Sequence, residues 1–167
     1  MLTPRYVCEL MAKLCEVNKD SFVWDYTLGT GGFLIASMNL MIQDAQESIK
    51  SKDELQRKIY HIKTRQLLGI EKRQDITLLA ILNMILMGDG SANVLNQDSL
   101  TEFDGNYPDK INGEYKPFNA NIFLLNPPYS AAGKGFIFVE KALKKMKSGK
   151  AAVLIQENAG SGNGLPY

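Results

Sequence analysis

The 167-residue sequence predicts an α/β fold, a mainly parallel sheet with helices on both faces, built as one domain. Three observations carry that expectation. Short apolar, β-favouring runs alternate along the chain with segments of helical periodicity. The runs end in polar or glycine-rich groups, as strands do when they feed tight βα turns. Hydrophobic residue types make up 45% of the chain, enough at this length to bury one sizeable core.

Residues 5–17 carry apolar side chains at helical spacing, introduced by Thr3 as N-cap and Pro4 as first helical residue. Residues 22–27 form a first strand that runs into Gly29-Thr30-Gly31-Gly32, and a helix follows from Phe33 to about Ala45. Residues 46–65, polar and charge-rich, read as surface helix plus connection. A second strand spans 66–71 and a helix 74–87, with Ile81, Leu82, Met84 and Met87 expected in the core. Residues 93–98 are a third strand, whereas 101–120, with Gly105, Pro108, Gly113 and Pro117, read as an irregular loop. A fourth strand at 121–125 leads into Asn126-Pro127-Pro128-Tyr129, 135–147 is helical, and 151–156 is a fifth strand. The sequence has no internal repeat and no low-complexity segment.

Composition narrows the function classes. A net charge of +1 provides no basic surplus for gripping a nucleic-acid backbone, so a strong grip on DNA must come from other sequence or from a partner. Cys8 and Cys15, seven apart on one helix, suit neither a disulfide nor a metal site, and point to reduced thiols in a cytoplasmic protein. No apolar run approaches the roughly 20 residues of a membrane span, and the first residues do not resemble a signal peptide.

In parallel sheets ligands bind beyond the carboxyl ends of the strands. There the sequence places Asp25, the glycine turn, Glu71, Asp98 and the Asn126 tetrad. The turn Gly29-Thr30-Gly31-Gly32 lets the backbone approach a ligand and exposes N–H groups at a helix start, although any tight βα turn favours glycine. It lacks GxGxxG spacing, which favours S-adenosylmethionine over a dinucleotide, with Asp25 facing the cationic methionine end. Glu71 can accept hydrogen bonds from two ribose hydroxyls or be a solvated strand-end charge. Asp98, followed by Ser99, can meet the amino group of the cofactor's adenine or simply cap a turn. The tetrad is the strongest signal. Its prolines stiffen the chain, the Asn126 amide oxygen and Pro127 carbonyl can both accept from one exocyclic NH2, and Tyr129 offers a stacking face. No strong base is needed, and His61 is expected to be solvent-exposed. Lysines 134, 141, 144, 145, 147 and 150 read mostly as a solvated helix face, with Lys134 nearest the tetrad as the candidate phosphate contact.

Together these residues resemble the amino-methyltransferases that modify adenine N6 in DNA, and most closely the modification subunits of type I restriction–modification systems. The likeness covers essentially the whole chain. Leu2-Thr3-Pro4-Arg5 is similar to the family's TPR segment, which packs against the methionine part of the cofactor. Asp25 to Phe33 resembles its glycine loop. Gly69-Ile70-Glu71 with Leu79, Ala80, Asn83, Met84 and Gly88, then Gln97-Asp98-Ser99-Leu100, and finally the tetrad follow in the family's order. The chain departs from the pattern at Tyr26-Thr27-Leu28, where Pro-Ala-Cys is usual, and at Gln97, where glycine is usual.

The resemblance implies a Rossmann-like class I AdoMet-dependent methyltransferase fold in a bacterial or archaeal cytoplasm. It implies S-adenosylmethionine as cofactor, held by Thr3, Pro4, Arg5, Asp25, Gly29, Thr30, Gly31, Gly32, Phe33, Glu71, Asp98 and Ser99, with no metal. Asn126, Pro127, Pro128 and Tyr129 would be catalytic. Double-stranded DNA with a flipped adenine is the implied substrate, and specificity and restriction subunits are the implied partners. The family fold has two strands more than the five counted, so residues 1–167 are expected to form an incomplete core, without the last strands or a recognition region, that binds cofactor at most. Two alternatives remain: methylation of protein glutamine or RNA guanine N2 by the same tetrad, and a non-catalytic truncated subunit.

Overall fold

The computed structural model describes residues 3–88, 93–109, 112–128, 130 and 132–155, the side chains of 132 and 134 excepted. Among these residues the strands are β1 (Val23–Asp25), β2 (Leu67–Glu71), β3 (Asn93–Asn96), β4 (Asn106–Pro108), β5 (Tyr115–Pro117), β6 (Ile122–Leu125) and β7 (Lys150–Val153). The helices are α1 (Arg5–Leu14), α2 (Gly32–Ser48), α3 (Lys52–Arg65), α4 (Gln74–Leu86) and α5 (Phe136–Lys145), the last entered through a 3₁₀ turn at Ala132–Gly135.

Five strands form one sheet in the order β3-β2-β1-β6-β7, with every neighbouring pair parallel. They are the five strands expected from the sequence; Gln156, at the end of the expected fifth, lies outside the described residues. Successive side chains enter opposite faces, as a period of two requires. Val23, Leu67, Ile122 and Leu124 join one core cluster with α1, α2, α3 and α4. Trp24, Leu68, Phe123 and Leu125 join a second with α5 and residues around the β4–β5 hairpin. Helices therefore cover both faces, as the doubly apolar strands demand. The chain steps outward from β1 to β3, then returns to place β6 on the other side of β1. The carboxyl ends of β1 and β6 thus flank the switch point where such sheets bind ligands.

Several expectations are corrected. Helix α1 begins at Arg5 with Pro4 as N-cap and no side-chain cap bond, so Thr3 is not its cap. It ends at Leu14 rather than 17, because Glu16 adopts a left-handed φ of 55° and reverses the chain. Residues 101–120 are not wholly irregular: β4 and β5 pair antiparallel. Three-residue strands ending in proline have no local signal. The hairpin is held by buried Tyr107 packed edge-on to Phe118, and by buried Asp109, which pairs with Arg65 at 3.2 Å and with Lys116. Within α4, Met84 is fully buried, but Leu82 is 57% exposed and Ile81 half-buried, and Met87, the C-cap rather than the last helical residue, is 38% exposed. The helix is apolar all round, and only one face can meet the sheet and α2. His61 is half-buried, not exposed. Gln66 donates both amide hydrogens to the Lys19 and Ser21 carbonyls, so its oxygen is left to accept from His61 Nδ1 at 2.8 Å. Cys8 and Cys15 are buried and free, and no described helix is long and apolar enough to cross a membrane.

Candidate active site

The glycine loop between β1 and α2 is the centre of the site. Gly31 is the N-cap of α2 at φ 85°, a left-handed conformation that a side chain resists. The loop presses on β2 so closely that a Cβ on Gly69 would stand 2.5 Å from Leu28 Cδ1. Glycine at position 69 is what makes room for leucine at one of the departures from the family pattern. The Leu28 N–H ties the loop to the Ile70 carbonyl of β2 at 3.0 Å, and bonds that involve side chains add to this. The Gly29 N–H donates to Glu71 Oε2 at 3.1 Å, Asn83 Nδ2 donates to the Thr30 carbonyl at 2.9 Å, and the Thr27 hydroxyl donates to the Asn126 carbonyl at 3.1 Å.

The carboxylates stand at three strand ends. Asp25 is fully buried; Oδ1 accepts from the Thr27 N–H at 2.9 Å, and Oδ2 has no hydrogen-bond partner among the described residues. Desolvation by burial pushes this carboxyl up to about 7; the Thr27 N–H opposes the rise and the Glu71 charge adds to it. Glu71 Oε1 accepts from the Arg73 N–H at 2.9 Å, so each of its oxygens already holds one backbone donor. Asp98 accepts from the Leu100 N–H at 2.8 Å and from Lys72 Nζ at 2.8 Å. The Lys72 ammonium beside it holds its carboxyl below the usual carboxylate range. The Ser99 hydroxyl donates to the Tyr26 carbonyl at 2.8 Å.

A cavity of about 670 Å³ opens at this edge, with Gly29, Thr30, Glu71, Asp98, Asn126 and Pro128 in its wall and Ile70, Ile76 and Leu79 among its apolar lining. A smaller one of about 40 Å³ lies between Thr3, Gly32, Phe33 and Asn126. Asn126 lines both. Its side-chain Nδ2 donates to Thr3 Oγ1 at 2.8 Å, bridging the start of the chain to the end of β6.

The structure therefore brings together Thr3, Gly29, Thr30, Gly32, Phe33, Glu71, Asp98, Ser99, Asn126 and Pro128 around two adjoining cavities. Arg5 borders a third, of about 230 Å³, and is paired with Glu9. Pro4 is exposed and lines none of these; Asp25, Gly31 and Pro127 sit outside them as well, Pro127 packed where a Cβ on Gly135 would meet it at 2.6 Å. Tyr129 and the side chain of Lys134 lie outside the described residues. Asn83, Thr27 and Lys72 make site bonds that the sequence did not assign to them. Asn83, already part of the run shared with the family, carried a usable signal. Thr27 was visible only as a departure from a pattern. Lys72 carried none, since lysine at a strand end is ordinary.

Comparison with known proteins places this geometry. Residues 1–145 match the family model described as N-6 DNA Methylase. The chain is 36% identical over 166 residues to the type II restriction enzyme and methyltransferase RM.BcgI of Heyndrickxia coagulans, covering 95% of this chain and 24% of that protein. Among solved structures, the M protein of the type I restriction enzyme EcoKI superposes with a TM-score of 0.72 at 23% identity, over 94% of this chain and 34% of that one. A SAM-dependent O-methyltransferase from Thermotoga maritima superposes at 0.63 with 14% identity, over 95% of this chain and 47% of that one. These likenesses show the fold, and the expected methyltransferase-type α/β architecture holds. The chain spans 24% of the length of the curated relative it matches.

Proposed function

The chain belongs to the N-6 DNA methylase family, and on that premise we propose that it is the cofactor-binding and catalytic core of an S-adenosylmethionine-dependent DNA adenine-N6 methyltransferase of a restriction–modification system. One observation carries the reading. Asn126, followed by two prolines, lies where the two cavities adjoin, at the carboxyl ends of the central strands.

The residues fit the cofactor. A cavity of about 670 Å³ is of ordinary size for a ligand of this kind. Glu71 retains lone pairs beyond its two backbone donors for ribose hydroxyls. Ile70, Ile76 and Leu79 offer apolar walls for a base, and Asp98 accepts from its amino group once Lys72 turns into solvent. Asp25 lies beneath the loop with Oδ2 unpartnered among the described residues, and a cationic group bound nearby would favour its ionised form. When bound, S-adenosylmethionine supplies a methyl group on a positively charged sulfur.

The chain's own residues prepare the acceptor. The Asn126 amide oxygen and the Pro127 carbonyl accept hydrogen bonds from the exocyclic amine of an extruded adenine, drawing the nitrogen lone pair out of ring conjugation. Tyr129 gives the base a face to stack on. The nitrogen releases its proton after the new bond forms, so no strong base is required. His61 lies before β2, at the opposite edge of the sheet from the strand ends that carry the site. With near-neutral charge, this core contributes little to holding double-stranded DNA; that grip is assigned to other sequence or to a partner subunit, with specificity and restriction subunits as the proposed partners.

In the full-length protein, Asn126→Ala and Tyr129→Ala should each abolish methylation while calorimetry shows S-adenosylmethionine binding unchanged. Mass spectrometry of digested product should find N6-methyladenine. Full activity in both variants, or the methyl group on guanine N2 or on glutamine, would overturn the assignment.

A further inference from the structure

We propose that Thr3 and Thr27 are positioning residues that lock Asn126 in its reactive orientation, an inference resting on the reading of Asn126 as the acceptor for the adenine amine. The two hydroxyls come from separate segments, one before α1 and one after β1, and reach the same residue by different parts of it. Thr3 Oγ1 accepts from the side-chain Nδ2 at 2.8 Å. Thr27 Oγ1 donates to the main-chain carbonyl at 3.1 Å.

The chemistry of a primary amide explains why such locks matter. The two ends of the asparagine side chain are nearly equal in shape and opposite in function: Oδ1 only accepts and Nδ2 only donates. A half-turn about the last side-chain bond would point a donor at an amine that must itself donate. With Nδ2 engaged by Thr3, the acceptor end is committed to the other side. The carbonyl held by Thr27 belongs to the Asn126–Pro127 peptide, so that bond fixes the plane from which the two prolines continue. The backbone of Asn126 is thereby pinned to the glycine loop across the β1–β6 switch point. Threonine 27 stands where the family pattern has alanine, which has no hydroxyl to offer, so this second lock belongs to this chain's own departure from the pattern.

Thr3 also lines the small cavity, where a contact to the cofactor alone is the competing role. The two roles separate in kinetics. In the full-length protein, single-turnover methylation is measured at saturating S-adenosylmethionine and DNA, alongside cofactor affinity by calorimetry. Variants are Thr3→Val, Thr3→Ala, Thr3→Ser, Thr27→Val and Asn126→Ala. A mispositioned reactive group costs about 100-fold in favourable cases. Thr3→Val and Thr3→Ala should therefore slow the saturated rate by about 10- to 100-fold, with the cofactor dissociation constant within about twofold of wild type. Thr3→Ser should restore the rate to within about threefold. Thr27→Val should slow it by about threefold to tenfold, again at unchanged affinity. A wild-type saturated rate in Thr3→Ala, or a loss confined to cofactor affinity, overturns the proposal while leaving Asn126 catalytic. Full activity of Asn126→Ala overturns the reading beneath it, and the proposal with it.

Discussion

Asp25 is the residue whose chemistry departs furthest from its ordinary behaviour. Its carboxyl, pushed up to about 7 by burial, is mostly protonated in the folded protein at mildly acid pH, whereas in the unfolded chain it ionises near the ordinary value of about 3.9. The folded state then binds the extra proton, so stability falls as pH rises. The contribution is fully present below about pH 4 and is lost as pH climbs through about 7. Urea midpoints measured from pH 4.5 to 7.5 should decline for wild type relative to Asp25→Asn, whose profile should lack this component. Equal slopes in the two proteins would mean that Asp25 is ionised throughout. Cys8 is affected by the same carboxylate: burial first, then the charge of Asp25, pushes its thiol up to about 11. A thiol so placed is inert, as its buried position on α1 already indicates. At this scale the sequence was most legible where residue type and position coincide. Glu71, Asp98 and Asn126 all stand in the cavity wall as their strand-end positions implied. The distant partners they already hold were not legible, because Gly29, Lys72 and Thr3 reach them through space rather than through a motif.

Among the elements, the turn from β1 into α2 is under the strictest conformational demand. Gly31 holds φ 85° as the helix N-cap, and a Cβ there would touch Met84 Cγ at 3.4 Å. Forcing a side chain into the left-handed region costs about 1–2 kcal/mol. Gly31→Ala should therefore lower stability by about that amount, and it should also weaken S-adenosylmethionine binding measured by calorimetry, since the Thr30 carbonyl and Gly29 N–H are tied to this turn. Unchanged stability would show that the turn relaxes to a right-handed geometry. Strands of the sheet were readable because both of their faces are apolar, while α4 shows the limit of the same logic. Its composition is apolar on every side, so periodicity could not say which side chains meet the core, and Leu82 and Met87 fell on the solvent side. The β4–β5 hairpin was unreadable for the opposite reason. Its strands are too short for a pattern, and Asp109, paired with Lys116 across the hairpin, is also held by Arg65 from the distant end of α3.

Across the whole molecule, charge is nearly balanced, with 19 Lys and Arg against 18 Asp and Glu. The lysines of α5 and the segment after it are exposed, and Lys144 is paired with Glu140 one turn away, the arrangement of a solvated helix face. Lys134, next to the tetrad in sequence, remains the candidate for a phosphate contact. In the full-length protein, Lys134→Ala should weaken duplex binding and make log Kd against log salt shallower by about 1, with cofactor affinity unchanged. An unaltered salt slope would remove it from the interface.

Read alone, the amino-acid order was sufficient for the alternation of strands and helices, the two-sided burial of the sheet and the list of polar groups at its carboxyl edge. Those follow from local spacing: period-two and helical patterns, and turn residues at strand ends, act over a few positions. It could not supply the order β3-β2-β1-β6-β7, the hairpin, or the hydroxyls of Thr3 and Thr27 converging on Asn126. These depend on which segments the sheet makes neighbours, and Thr3 and Asn126 are 123 positions apart. Such proximity arises from burying two faces of one sheet at once, a condition on the entire chain that no short window of residues contains.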